Sequence, residues 1–126
     1  MKTNVGIWID HRKAVVVRLR DEDEEILELT SHMEKHVSYS GGAAESSGED
    51  QRDMRFTRHL NTYYDKVVSF IRNADSILIL GPGEAKVELK TRLEKEALGG
   101  RITGIETVDK MTDRQLAAKV RQYFSQ

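Results

Sequence analysis

Arg52, Arg55, Arg58 and His59 recur at spacings of three and four directly after a run of small and polar residues, Ser40-Gly41-Gly42-Ala43-Ala44-Glu45-Ser46-Ser47-Gly48-Glu49-Asp50-Gln51. On a helix, Arg55, Arg58 and His59 lie close on one side, and several cations on one side suit several phosphates. With Lys66 and Arg72, residues 52–72 carry 5 Lys/Arg against 2 Asp. The plain alternative is a solvated helix face with ordinary surface ion pairs. No apolar period runs from about 31 to 51, and unstructured connections beyond ~12–15 residues are usually functional or disordered. A mobile loop is therefore expected at about 31–51, containing Gly41, Gly42, Gly48, Glu49 and Asp50, with Gln51 at its tip.

Other residues of reactive type are less well placed. Asp10 ends the first apolar run, where a ribonuclease-H-type nuclease holds a metal-binding carboxylate, and Glu28, Glu84 and Asp109 are its candidate companions. Two-metal chemistry needs such carboxylates to converge on cations about 4 Å apart; Asp10-His11 reads more simply as a turn. Gly81-Pro82-Gly83 could aim backbone N–H groups at an anion, but it is neither Gly-x-Gly-x-x-Gly nor followed by Gly-Lys-Ser/Thr. With Glu84 and Glu88 nearby to repel phosphate, it reads as a tight strand-to-helix turn. His11, His32, His36 and His59 form no zinc pattern, and there is no cysteine to join them. Trp8 and Tyr63-Tyr64 read as packed aromatics. No metal and no cofactor is expected.

The elements that must position these residues follow from apolar spacing. Val5, Ile7 and Ile9 alternate, Asp10 to Lys13 supplies a polar turn, and Ala14-Val15-Val16-Val17-Arg18-Leu19 returns, which predicts a hairpin. The acidic run Asp21-Glu22-Asp23-Glu24-Glu25 reads as a solvated turn before a third strand, Ile26-Leu27-Glu28-Leu29-Thr30. Phe56, Leu60, Tyr63, Val67, Phe70 and Ile71 then form a helical stripe, predicting a helix from Met54 to about Asn73. Ile77-Leu78-Ile79-Leu80 is apolar throughout, the pattern of a strand covered on both faces and paired in parallel. A helix is predicted over 84–97, closed by Gly99-Gly100 as left-handed caps, and a second interior strand over 102–108. Thr112-Asp113-Arg114-Gln115 matches a capping box ahead of a last helix striped by Leu116, Val120 and Phe124.

The order βββαβαβα predicts an α/β fold, a mixed five-stranded sheet flanked by helices. The same order occurs in the ribonuclease-H-like fold. A length of 126 residues fits one domain, 1–126. The absence of cysteine suits a reducing compartment, and no run of about 18 apolar residues or secretory leader is visible. A cytoplasmic protein without a membrane partner is expected. Net charge is −1, yet residues 1–51 carry 6 Lys/Arg against 11 Asp/Glu and residues 52–126 carry 14 against 10. That asymmetry allows a nucleic-acid face in the second part.

Gln51-Arg52-Asp53-Met54-Arg55-Phe56-Thr57-Arg58 resembles the central domain of the archaeal and eukaryotic class 1 release factors, a component of the translational machinery. In that family Gly-Gly-Gln is followed a few residues later by Arg-Phe on a basic helix. The element order is similar across nearly the whole chain, and the chain is similar also to Pelota, a ribosome-rescue relative whose central domain lacks the tripeptide. The resemblance implies a ribosome, ribosomal RNA or tRNA partner, with Arg52, Arg55, Arg58, His59 and Lys66 on phosphate. It implies peptidyl-tRNA hydrolysis only through Gln51. Anchored on Arg55-Phe56, Gln51 matches the catalytic glutamine, but Glu49 and Asp50 stand in place of two glycines. Anchored on Gly41-Gly42, Ala43 stands in place of the glutamine. Neither register restores Gly-Gly-Gln, and two carboxylates at the tip oppose a polyanion.

The expectation is a translation-associated ribosome- or RNA-binding protein without intact hydrolase chemistry and without a DNA partner. The alternatives are a non-catalytic protein–protein interaction module, a homodimer being one form of it, and a divergent peptidyl-tRNA hydrolase or ribonuclease-H-like nuclease.

Overall fold

A computed structural model describes residues 2–31 and 48–125, with only the backbone described for 48–57 and 59. Strands β1 (Thr3–Ile9), β2 (Lys13–Arg20) and β3 (Asp23–Thr30) form an antiparallel meander. Helix α1 (Gly48–Ile71), strand β4 (Ser76–Gly81), helix α2 (Ala85–Lys95), strand β5 (Ile102–Thr107) and helix α3 (Asp113–Phe124) follow. The sheet order is β3-β2-β1-β4-β5, with β4 parallel to both β1 and β5. This is the mixed five-stranded α/β sheet in the expected order βββαβαβα.

Alternation along the strands divides the core in two. Val5, Ile7, Ile9, Val16, Ile77 and Ile79 point to one face, where Tyr63, Tyr64, Val67 and Ile71 of α1 and Leu89 and Leu93 of α2 cover them. Trp8, Val15, Val17, Leu78 and Leu80 point to the other, beneath Leu116, Ala117 and Val120 of α3. Covered on both faces, β4 has no polar side to show, hence its unbroken apolar run. Gly6 sits where α3 crosses, and a Cβ there would lie 2.2 Å from Val120 Cγ2. The Thr112 hydroxyl accepts from the Gln115 N–H at 3.1 Å while the Gln115 side chain accepts from the Thr112 N–H at 3.0 Å, closing the expected capping box.

Four local expectations need correction. Helix α1 starts at Gly48, not Met54, so Gly48, Glu49, Asp50 and Gln51 are helical backbone rather than loop; it also ends at Ile71, before Asn73. Apolar spacing cannot locate a helix start whose first turn is wholly polar. The acidic turn is only Asp21-Glu22, with Asp21 at φ 56°. Asp23, Glu24 and Glu25 already pair with Arg20, Leu19 and Arg18, and Glu25 meets the Arg18 guanidinium at 3.2 Å. Among the described residues, strand β5 is an edge and not an interior strand. Finally, the left-handed residue after α2 is Ala97 at φ 62°, and not Gly99 or Gly100, which lie in a 3₁₀ turn, Gly99–Arg101. Leu98 N–H donates to Leu93 O at 2.8 Å and Ala97 N–H to Glu94 O at 3.1 Å, the paired bonds of a Schellman motif, with Leu98 buried as its apolar clasp.

Candidate nucleic-acid interface

Arg52, Arg55, Arg58, His59 and Lys66 all fall on α1. The buried residues Tyr63, Tyr64, Val67, Val68 and Ile71 fix which side of the helix faces the sheet. Arg58 and Lys66 are exposed on the outer side. At 3.6 residues and 5.4 Å per turn, Lys66 stands about three turns, or ~16 Å, beyond Arg55 on nearly the same side of the helix. The side chains of Gln51, Arg52, Arg55 and His59 lie outside the described residues. Gly41 and Gly42 lie outside them altogether, as does the stretch 32–47 of the expected loop, with His32 and His36.

The acid on this part of α1 is engaged from outside the helix. Asp65 Oδ1 accepts from Arg92 Nη1 of α2 at 2.9 Å, and Arg92 Nη2 donates to the Asn61 side-chain oxygen at 3.1 Å. Arg92 therefore locks α1 onto α2 and offsets a carboxylate beside the exposed cations. The C-terminal end of the helix is also held. Arg18 of β2 donates to the Phe70 carbonyl, and Arg101 donates to the Arg72 carbonyl at 2.6 Å.

A polar knot fixes the middle of α1, where the helix meets the end of β1. Tyr63 donates to the Asp10 carbonyl at 2.9 Å, and Tyr64 donates to Glu88 Oε1 of α2 at 2.5 Å. The same carboxylate oxygen accepts from His11 Nε2 at 3.0 Å; since a carboxylate only accepts, Nε2 carries the proton. Burial pushes the Tyr63 hydroxyl far above its ordinary titration range, and the Asp10 charge adds to the effect. Burial does the same for Tyr64, followed by its hydrogen bond to Glu88 and the charge of that carboxylate. Both phenols are neutral donors at any physiological pH. Nothing in their sequence spacing pointed to this knot, because His11, Tyr64 and Glu88 come from three separate elements. Only the adjacent Tyr63-Tyr64 on a buried stripe hinted that two hydroxyls would need partners.

The residues that raised a nuclease are not assembled as one. Asp10 Oδ1 accepts from the N–H groups of Arg12 and Lys13, both at 2.8 Å, so this carboxylate shapes the β1–β2 turn. Glu28 on edge strand β3 meets Lys13 at 3.6 Å. Asp109 contributes its carbonyl to Trp8 Nε1 at 3.1 Å. Among the described residues, no group of three or more His, Asp or Glu could hold a metal ion. At Gly81 a Cβ would lie 2.3 Å from the Ile9 carbonyl oxygen. Close approach of two backbones therefore accounts for that glycine, and Gly81-Pro82-Gly83 is the turn its sequence suggested.

No family model matches this sequence, and no curated protein does. Solved structures do match. The Pelota protein of Thermoplasma acidophilum superposes with a TM-score of 0.60 at 16% identity, over 99% of this chain and 32% of that one. The archaeal translation termination factor aRF1 gives 0.60 at 15%, over 98% and 38%. The fold is that of a Pelota or aRF1 domain. Archaeoglobus fulgidus Pelota agrees, with a TM-score of 0.58 at 14% identity over 95% of this chain and 31% of that chain. At these identities the similarity is one of fold, and this chain spans about a third of the length of the proteins it matches. Among the described residues, no helix is long and apolar enough to cross a membrane.

Proposed function

We propose that this chain forms a domain equivalent to the release-factor central domain, acts in translation in the cytoplasm, and docks on ribosomal RNA through the outer face of α1. One observation carries the reading: a fold shared with a translation termination factor presents Arg58 and Lys66 outward on the helix whose inner face is buried in the core. Arg52, Arg55 and His59 extend the same cationic run toward the N-terminal end of α1. Contacts of this kind work by neutralising phosphates and releasing counterions, which needs a fixed row of cations rather than a pocket. The Arg92–Asp65 contact and the Tyr64–Glu88–His11 knot support the reading by holding that row rigid against the sheet.

The reading assigns no hydrolysis to the chain. Gln51 lies within the first turn of α1 and is preceded by Glu49 and Asp50, where the release-factor pattern has glycines. A helical backbone with two acidic side chains opposes threading of this segment among phosphates. Affinity purification at low ionic strength tests the assignment: ribosomal RNA is expected to come down with the wild-type protein. Recovery of a single protein partner without RNA contradicts it. Peptide release from stalled ribosomes by wild type, lost in Gln51→Ala, would overturn the non-catalytic part.

A further inference from the structure

Among the described side chains of α1, Asp65 is the one carboxylate, and its charge has the wrong sign for a face that meets phosphate. It stands two turns, or ~10 Å, along the helix from Arg58 and directly before Lys66, with Thr62 and Ser69 exposed on the same side. Arg92, whose side chain is 19% exposed, reaches it from α2. Arg92 Nη1 donates to Asp65 Oδ1 at 2.9 Å, and Nη2 donates to the Asn61 side-chain oxygen at 3.1 Å. The guanidinium fork thus fixes two residues one turn apart and offsets the charge of the carboxylate. It takes only one oxygen of Asp65. The other, Oδ2, has no hydrogen-bond partner among the described residues, on a side chain that is 67% exposed.

We infer that Asp65 makes the α1 face select RNA over DNA, by accepting a hydrogen bond from a ribose 2′-hydroxyl at Oδ2; the inference rests on the RNA contact proposed above. A carboxylate only accepts hydrogen bonds, and so do the phosphate and sugar-ring oxygens of a nucleic-acid backbone. Lying between Arg58 and Lys66, which draw phosphates to either side of it, Asp65 finds nothing to pair with along a DNA backbone and repels the phosphates instead. The 2′-hydroxyl is the donor that an RNA backbone adds at every nucleotide. A hydroxyl bonded to a carboxylate is a charge-assisted bond, stronger than one between neutral groups. Thr62 and Ser69 discriminate less, because a hydroxyl donates or accepts as required. Arg92 is a positioning residue in this arrangement: it touches Asp65 and Asn61, holds the carboxylate in place, and reduces its repulsion of the phosphates on either side.

Fluorescence anisotropy at low salt tests the selection on the whole chain, with one single-stranded sequence prepared as RNA, as 2′-O-methyl RNA and as DNA. Wild type is expected to bind the RNA about tenfold more tightly than either of the others, the size of one charge-assisted hydrogen bond. Asp65→Asn keeps an oxygen for Arg92 but loses the charge and the open acceptor, and is expected to bind all three alike, the DNA at least as tightly as wild type does. An unchanged unfolding midpoint shows that this variant is folded. Equal binding of the three forms by wild type overturns the selection and leaves the RNA contact standing. A preference for RNA and 2′-O-methyl RNA alike over DNA also overturns it, since sugar shape and not the donor is then read. So does an Asp65→Asn protein that keeps the wild-type preference. Wild type that binds none of the three contradicts the RNA contact itself, and the selection falls with it.

Discussion

The Tyr64 hydroxyl donates to the Glu88 carboxylate at 2.5 Å, and this contact joins the two helices that cover one face of the sheet. Tyr64 is buried while Glu88 also reaches His11 and solvent. Tyr64→Phe therefore removes a charge-assisted bond without leaving the carboxylate stranded, and is expected to cost about 1–2 kcal/mol. Urea unfolding of the variant checks this. A midpoint equal to that of wild type would mean that the knot contributes nothing to anchoring α1.

Alkaline pH probes the same pair and its neighbour. Both Tyr63 and Tyr64 have hydroxyls raised above their ordinary range, by burial first. A group whose folded-state value is raised contributes stability that is complete below its unfolded value, about 10 for tyrosine, and that declines as pH climbs above it. Stability is expected to fall from about pH 10 upward, less steeply in the Tyr63→Phe, Tyr64→Phe double variant. Absorbance titration at alkaline pH, with the Tyr63→Phe, Tyr64→Phe variant as reference, should show Tyr63 and Tyr64 ionising only as the protein unfolds. Ionisation of Tyr63 and Tyr64 in the folded protein near the ordinary tyrosine value would contradict this.

Ala97 occupies the left-handed position of the Schellman motif that ends α2. A Cβ in that conformation costs about 1 kcal/mol relative to glycine. Ala97→Gly is expected to raise stability by up to about that amount, since the more flexible unfolded chain of the glycine variant offsets part of the gain. Thermal unfolding reads the sign. A lowered midpoint would show that the strain is relieved elsewhere.

The contact of Gly6 with Val120 predicts a coupled pair. Gly6→Ala places a methyl 2.2 Å from Val120 Cγ2, and overpacking of this kind costs about 1–3 kcal/mol. Removing the Val120 branches makes room, so Gly6→Ala combined with Val120→Ala is expected to be less destabilised than the sum of the single variants. Strict additivity in denaturant unfolding would place the clash elsewhere.

The sequence showed the sheet well because β4 is apolar on both faces and β1 and β2 alternate between the two cores. It misjudged β5 as interior because Ile102 and Ile105 look like core residues in isolation; only the sheet order shows that nothing among the described residues lies beyond them. The start of α1 was hidden for a related reason, since Gly48-Glu49-Asp50-Gln51 buries no apolar stripe and composition made it resemble loop. That Arg55, Arg58 and His59 share one helix was legible from their spacing. Its supports were not: Arg92 reaches Asp65 across 27 positions, and His11 reaches Glu88 across 77. Such contacts depend on which helix neighbours which, and local pattern carries no trace of that.

Co-sedimentation with ribosomes across a salt series tests the central claim most directly. Wild type is expected to pellet with ribosomes at low salt and to be released steeply as salt rises. Arg58→Glu and Lys66→Glu, both on the exposed side of α1, are each expected to weaken binding and to flatten the slope of log affinity against log salt by about 1. Folding of both variants is checked by an unchanged unfolding midpoint. Failure of the wild type to pellet at low salt, or equal pelleting of wild type and the Arg58→Glu, Lys66→Glu double variant, would contradict the account.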